Sequence, residues 1–398
     1  MSEKIYALLD CDSFFVSCEQ VLNPKIQNFP VCVLSNNMGC VVARSKEAKE
    51  MGIQMGMPYF QAKRQFPGAV YLRGDHTIYK DFSKRIMKLL EDFSPNIEVY
   101  SIDEAFIDLT GTRKMHGRNY YKVVSDIKRS VKEKVGVDVS IGLSMTKTLA
   151  KLASERAKKE PHIKGKARKA IYVIGKSKIE KELKLTAIED VWGIGRRYKK
   201  LFHSLGIRTA YDFVRQDDRW IKQKLGKRGF ELKQELLGIA VSAVDSEIKK
   251  PKSIQVTRSF MDWPTVGSDK EYIRTQLKKH VKSACRKLRQ EGGKARSITL
   301  MLRRKDFFRC YYKIILDDAL DFELDISKLI LKGFEKLYDK NVVYRSCGVT
   351  FDLITYESKT QLSLFEDEKN VKSEKLAKSL DKIEGLYGKN IINIGYKE

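Results

Sequence analysis

Residues 5–9 (IYALL) form a short continuous apolar run that ends in Asp10, Cys11 and Asp12. Apolar continuity without alternation predicts a strand buried on both faces. Ser13 stands where a helix cap belongs, ahead of Phe14, Phe15, Cys18, Val21 and Leu22, and Asn23-Pro24 stops that helix. Residues 30–34 predict a second strand, 35–39 a turn, 40–43 a third strand and 45–51 a helix of mixed charge. Between 77 and 93 the positions Ile78, Phe82, Ile86, Leu89, Leu90 and Phe93 step by three or four, which is one face of a long helix. Residues 97–109 predict a hairpin whose turn carries Asp103 and Glu104, and 119–135 a further helix. Val137, Val139, Ile141 and Leu143 alternate as a strand, after which Ser144 is placed to cap a helix running to about residue 159. Residues 158–169 (KKEPHIKGKARK) read as a basic loop.

The second half changes character. Residues 175–240 predict short helices, with 191–195 (VWGIG) as a turn between two of them, and 241–253 resemble a linker. Then come a strand (254–261), a helix (269–291), two strands (296–304 and 307–316), a helix (322–338) and a strand (342–354). That βαββαβ order predicts a sheet covered on one side by two helices.

Composition sharpens the picture. A chain of 398 residues, 42% of them hydrophobic, has material for two or three domains with real cores. Lys and Arg number 77 against 51 Asp and Glu, a net charge of +26 that points to a polyanion, either nucleic acid or an anionic membrane surface. The excess is 4 over residues 1–147, 13 over 148–240 and 11 over 250–350. Chemistry is thus expected in the near-neutral first third and polyanion grip in the two basic blocks. No run of about 18 uncharged apolar residues exists, which excludes a transmembrane reading. The N-terminus lacks a signal peptide's layout, and the 7 cysteines form no C-x-x-C pair. Both argue for a reduced cytoplasmic location without a disulfide framework or structural zinc.

Three carboxylates carry the candidate chemistry: Asp10 at the end of the buried strand, and Asp103 with Glu104. A carboxylate ending such a strand must be paired or bind a cation. Mg²⁺ suits the set, since it takes hard oxygen ligands and is completed by substrate phosphates. The same residues also fit plain turn acids, and Asp12 or Asp108 fit caps. Arg44, Lys46, Lys49 and Lys158 are candidate phosphate contacts, each equally explicable as solvated surface charge. Gly193 and Gly195 let backbone approach a phosphate, and Arg196, Arg197, Lys199 and Lys200 follow directly. Gln361, Leu364 and Phe365 lie in QLSLF, the composition of a short docking peptide or of a tail packed on its own domain.

The stretches IYALLDCDSFFVSCEQV, SIDEAFIDLTG, SIGLSMTKTLAKLASERAK and VWGIG, in this order, resemble the Y-family translesion DNA polymerases. VLSNNMGCVVARSKEAKEMGIQMGMP is similar to the UmuC branch, the catalytic subunit of bacterial DNA polymerase V, rather than to the DinB branch. The resemblance covers about residues 4–365. It implies a multidomain α+β right hand: palm (1–12 and 81–174), small fingers (13–80), helical thumb with a helix-hairpin-helix (175–240), linker (241–253), βαββαβ little finger (254–355) and a tail (356–398).

It also implies that Asp10 and Asp103 bridge two Mg²⁺ ions with Glu104 beside them, and that Cys11 offers its backbone carbonyl. Phe14 and Phe15 lie under the incoming sugar, with Phe15 as steric gate. Lys49 and Lys158 meet the triphosphate. Ala43 and Lys46 stand where DinB-type members place Thr and Tyr, and Arg44 is the compensating feature. Gly193, Gly195, Arg196 and Arg197 contact DNA. Gln361, Leu364 and Phe365 dock on the replicative sliding clamp. The expected partners are primer–template DNA, dNTP and that clamp, with a UmuD-like subunit or the recombinase filament in addition. The implied activity is low-fidelity synthesis past damaged bases in the SOS response. The alternative is a non-catalytic, clamp-docked DNA-binding accessory protein that kept the fold.

Overall fold

The N-terminal apolar run forms β1 (Tyr6–Cys11), and all of it is buried. The computed structural model describes residues 4–35, 37–113, 119–159, 169–247, 249–356 and 368–388. They fall into two units, Met1–Glu247 and Ile248–Glu398.

In chain order the first unit continues with α1 (Phe14–Leu22), β2 (Val31–Leu34), β3 (Val41–Arg44), α2 (Lys46–Glu50), α3 (Tyr59–Gln65), β4 (Val70–Arg73) and α4 (His76–Leu90). Next are β5 (Ile97–Val99), β6 (Glu104–Asp108), α5 (Tyr120–Val135), β7 (Val139–Ser144), α6 (Lys147–Lys158) and β8 (Ile171–Ile174). Four helices end the unit: α7 (Ile179–Lys184), α8 (Arg196–Ser204), α9 (Ala210–Val214) and α10 (Asp218–Leu236).

The main sheet has the order β5–β6–β1–β7–β8, antiparallel except for the β7–β8 pair. Alternation along β1 divides its side chains between two cores. Ala7, Leu9 and Cys11 join Phe82, Ile86, Ile127 and Val131 of α4 and α5. Tyr6 and Leu8 join Phe106 and Ala150 of α6 on the other face. Helix α6 lies so close to β7 that a Cβ on Gly142 would sit 2.1 Å from both the Ala150 oxygen and the Ser154 nitrogen. Only glycine fits there, and it seats the helix that carries Lys151 and Lys158.

A smaller sheet, β3–β2–β4, buries Val31, Val33 and Ala43 in the large core and Cys32, Leu34 and Val41 against Ala48, Ile53 and Ala62. Helices α7–α10 share a core with Leu149 and Ala153 of α6. Gly226 (φ 69, ψ −163) kinks α10.

The second unit holds β9 (Ile254–Ser259), α11 (Trp263–Val266), α12 (Lys270–Gln290), β10 (Gly293–Arg304), β11 (Arg309–Leu320), α13 (Glu323–Leu337), β12 (Tyr344–Tyr356) and α14 (Glu368–Tyr387). Its sheet is fully antiparallel with the order β11–β10–β12–β9. Ile298, Leu300 and Leu302 of β10 pack under Leu277 of α12 and Ile330 of α13, which is the expected layering.

Several local expectations fail. Ser13 precedes α1 in a left-handed conformation (φ 48, ψ 44) and makes no capping bond; its hydroxyl accepts from Lys49 instead. Ser144 is the last residue of β7 and donates to the Ile174 oxygen, while Thr146 caps α6. Glu104 opens β6 rather than sitting in the turn. Most of the basic loop at 158–169 lies outside the described residues. No helix among the described residues is long and apolar enough to cross a membrane.

Candidate active site

The register of the main sheet builds the site. Asp10 faces Glu104 directly across the β1–β6 pair, so the two side chains leave the same face. The Cys11 N–H donates to the Asp103 oxygen at 2.9 Å. Asp10 and two acids that lie more than 90 residues on are thus brought to the same end of β1. The Asp103 carboxylate accepts from the Ser101 hydroxyl at 2.6 Å. Among the described residues no three His, Cys, Asp or Glu side chains converge tightly enough to hold a metal. What the geometry brings side by side is the Asp10–Glu104 pair, with Asp103 on the adjoining backbone.

Two lysines of α6 complete the cluster. Lys158 Nζ lies 2.6 Å from Asp10 Oδ2, and Lys151 Nζ lies 2.8 Å from Glu104 Oε1. Asp10 is 4% exposed. Burial raises its carboxyl well above the ordinary range, the hydrogen bond with Glu104 adds to that, and Lys158 offsets only part. Burial works the same way on Glu104, but the bond from Asp10 and the Lys151 ammonium outweigh it and leave Glu104 low. Asp10 is therefore the harder of the two to ionise, although Lys158 sits at ion-pair distance. Desolvation works against the Lys158 charge, and Asp10 more than restores it.

The other candidates are placed as follows. The Cys11 thiol is buried, its pKa raised far up by desolvation, so only its backbone is free for ligation. Phe14 is buried in the core. Phe15 is half-buried and stacks on Tyr79 at 4.4 Å with 15° between the planes, and His76 meets it edge-on at 5.5 Å. Tyr79 is fully buried and donates to Glu19 at 2.6 Å.

Lys49 reaches Ser13 at 2.9 Å, which brings it to the turn after β1. Arg44 Nη1 donates to the Ile53 oxygen at 2.6 Å. Gly193 has φ +94, and Gly195 stands at the N-terminus of α8. A Cβ at either would meet no other atom of the protein, so nothing internal demands glycine at 195. Arg196 and Arg197 are exposed beside it. A 3-10 turn (Ile188–Asp190), not a full helix, precedes this loop. Gln361, Leu364 and Phe365 lie outside the described residues.

Tyr79 and Lys151 escape a reading of the sequence. Tyr79 follows Ile78 in a helix whose other core positions are aliphatic or Phe. Lys151 does leave a signal: Lys147, Lys151 and Lys158 recur on one stripe of their helix.

Residues 9–155 match the impB/mucB/samB family, and residues 251–364 match that family's C-terminal domain. The chain is 34% identical to the protein UmuC of Salmonella typhimurium, over 98% of this chain and 92% of that one. It is similar in structure to a Y-family DNA polymerase chimera of Dbh and Dpo4, at 27% identity and TM-score 0.72, over 89% of this chain and all of that one. The insertion ternary complex of Dbh DNA polymerase matches with TM-score 0.58 and 26% identity over the same shares. The chain belongs to the impB/mucB/samB family, the UmuC-like branch of the Y-family DNA polymerases.

Proposed function

We propose that this polymerase carries out low-fidelity translesion synthesis, moving a nucleotide from a dNTP to a primer 3′-hydroxyl on damaged template DNA. The observation that carries the reading is the buried Asp10–Glu104 pair, joined through Cys11 to Asp103. Two carboxylates held side by side, one of them buried, form a donor set that a divalent cation relieves. Their hard oxygens favour Mg²⁺. Asp10, Asp103 and Glu104, with the Cys11 carbonyl, are the residues to hold it, Asp103 after release from Ser101. When bound, two such ions stabilise charge on the attacking and leaving oxygens.

The protein's own residues position and screen. Lys158 and Lys49 supply positive charge for the triphosphate at the end of β1 and the turn after it. Phe15, braced by Tyr79, is the wall that a ribose 2′-hydroxyl would strike. Arg44 acts indirectly, by holding the segment around Ile53. The bare backbone at Gly193 and Gly195, with Arg196 and Arg197, fits a DNA phosphate approaching α8. The basic sheet of the second unit fits duplex backbone, read through phosphates rather than bases.

Residues 1–12 and 81–174 are assigned as palm, 13–80 as fingers, 175–240 as thumb and 254–355 as little finger. QLSLF is assigned to the sliding clamp, with a UmuD-like subunit or recombinase filament as further partner, in the cytoplasm. Primer extension on a template carrying one abasic site tests the reading. Incorporation opposite and beyond the lesion is expected; synthesis that proceeds only on intact template contradicts it.

A further inference from the structure

The turn between β10 and β11 carries a feature that polymerase folding does not explain. Phe307 and Phe308 are adjacent at its tip and 56% and 61% exposed. Phe307 has φ +70, the left-handed region where a bulky side chain is strained and a glycine is at ease. The turn is nevertheless well held. Phe307 N–H donates to the Arg304 oxygen, Arg304 N–H to the Phe308 oxygen, and Phe308 N–H to Asp306 Oδ1, all between 2.9 and 3.0 Å. Lys305 N–H donates to the Val343 oxygen at 2.9 Å, which ties the tip to the segment before β12. A strained, exposed aromatic on a braced turn contributes nothing to the core, and its contacts within the chain are with arginines at the surface of the turn.

Charge states what kind of partner fits. The Arg345 and Arg303 guanidinium carbons lie 4.2 and 4.7 Å from the Phe307 ring centre, and that of Arg304 lies 5.9 Å from Phe308. Lys305 and Arg309 flank them, and Asp306 is the one acid in the turn itself. The stripe continues along β11 with Arg309, Tyr311 and Lys313, which alternate outward. Aromatic rings interleaved with arginines make the surface that single-stranded nucleic acid favours: the rings stack on bases and the guanidinium groups meet phosphates. An acidic peptide would satisfy the cations but leave two exposed phenyl rings unexplained.

We propose that this turn is a base-stacking tip: Phe307 and Phe308 take an unpaired nucleobase of a DNA strand while the surrounding arginines hold its phosphates. The proposal rests on the reading that the chain works on DNA, and it adds a contact to bases where that reading has only phosphates.

The test measures binding by the full chain without nucleotide, so it does not depend on catalysis. Three probes are compared by fluorescence anisotropy: a blunt duplex, the same duplex with a 5′ single-stranded overhang, and that overhang made of abasic sugars. Wild type is expected to prefer the overhang with bases, and Phe307→Ala/Phe308→Ala to weaken that probe by about tenfold or more. The double variant should change the other two probes less than twofold. Equal weakening on all three would overturn the proposal in favour of phosphate contact, and no change on any would turn the site toward a protein. Phe307→Gly separates strain from function: the melting temperature should rise while overhang affinity falls. A lower melting temperature would mean that the ring is structural. Failure of wild type to extend a primer would remove the polymerase reading yet leave this binding comparison decisive.

Discussion

Each unit contains a buried ionic cluster, and the two are built on opposite principles. In the second unit Arg289 bonds both oxygens of Asp381 at 2.6 and 2.9 Å, Glu323 at 3.1 Å and the Asp321 carbonyl at 2.7 Å. Glu384 takes Lys282 at 2.8 Å and Arg286 at 3.1 Å. Burial works against the Arg289 charge, and the acids more than offset it, so its pKa ends above the ordinary range. Cations alternate with anions, and the cluster fastens α14 to α12. In the first unit two acids face each other, and burial and the neighbouring acid work against the charge of one of them. The balanced cluster is a fastener. The unbalanced one has the arrangement in which strongly perturbed groups arise at sites of chemistry.

Breaking the balanced cluster should produce the largest change in stability. Arg289→Met leaves Asp381 and Glu323 buried without their cation, and unfolding in urea should show a loss of about 3–5 kcal/mol. Its DNA synthesis at low temperature should match wild type. A loss below about 1 kcal/mol would mean that the cluster is no fastener.

The second unit also buries a titratable group without a counter-ion. His280 Nε2 has no hydrogen-bond partner, and burial, aided by Arg258, lowers its pKa to about 4. The unfolded side chain takes its proton near pH 6.5 and the folded one does not until about 4. Stability is therefore complete above about pH 6.5 and declines down to about pH 4, by about 3 kcal/mol in total. His280→Leu should flatten that limb in melting curves taken from pH 7.5 to 4.5. An unchanged acid limb would show that other groups cause it.

Beside the unbalanced cluster, Phe15→Ala should lower discrimination against ribonucleotides by about tenfold or more, the scale of losing one steric wall. Tyr79→Ala, which removes its brace, should do so less. Rejection as strict as in wild type would assign the gate to another residue. The smallest effect has the most telling sign. Asp10→Asn removes the charge that burial and Glu104 oppose, so stability should rise by about 1 kcal/mol as activity disappears. A fall would mean that the Asp10–Lys158 pair is a fastener after all.

Much of this was legible in the chain. The apolar run 5–9, the long helix after residue 77 and the βαββαβ block all follow from periodicity, and periodicity is local. Asp10 was marked by sitting where no charge should be unpartnered. Cap assignment failed because capping competes with distant groups: Lys49 captures the Ser13 hydroxyl from 36 positions away, and Ile174 captures Ser144. β4 and β8 were missed because each is four residues long and is made by a parallel partner far away in sequence. The Glu104–Lys151 pair spans 47 positions and exists only because Gly142 lets α6 approach the sheet. The bond from Arg44 to a carbonyl nine residues on left no trace in the sequence, because a charge among polar neighbours gives no hint of a backbone partner.

The central claim is that the acids at the end of β1 act as one site although Asp103 is hydrogen-bonded to Ser101. Single-nucleotide incorporation on undamaged primer–template, with Mg²⁺, measures it directly in wild type, Asp10→Asn and Asp103→Ala. Both variants are expected to lose at least about a hundredfold in rate while binding primed DNA as wild type does. Incorporation by Asp103→Ala at the wild-type rate would contradict the account.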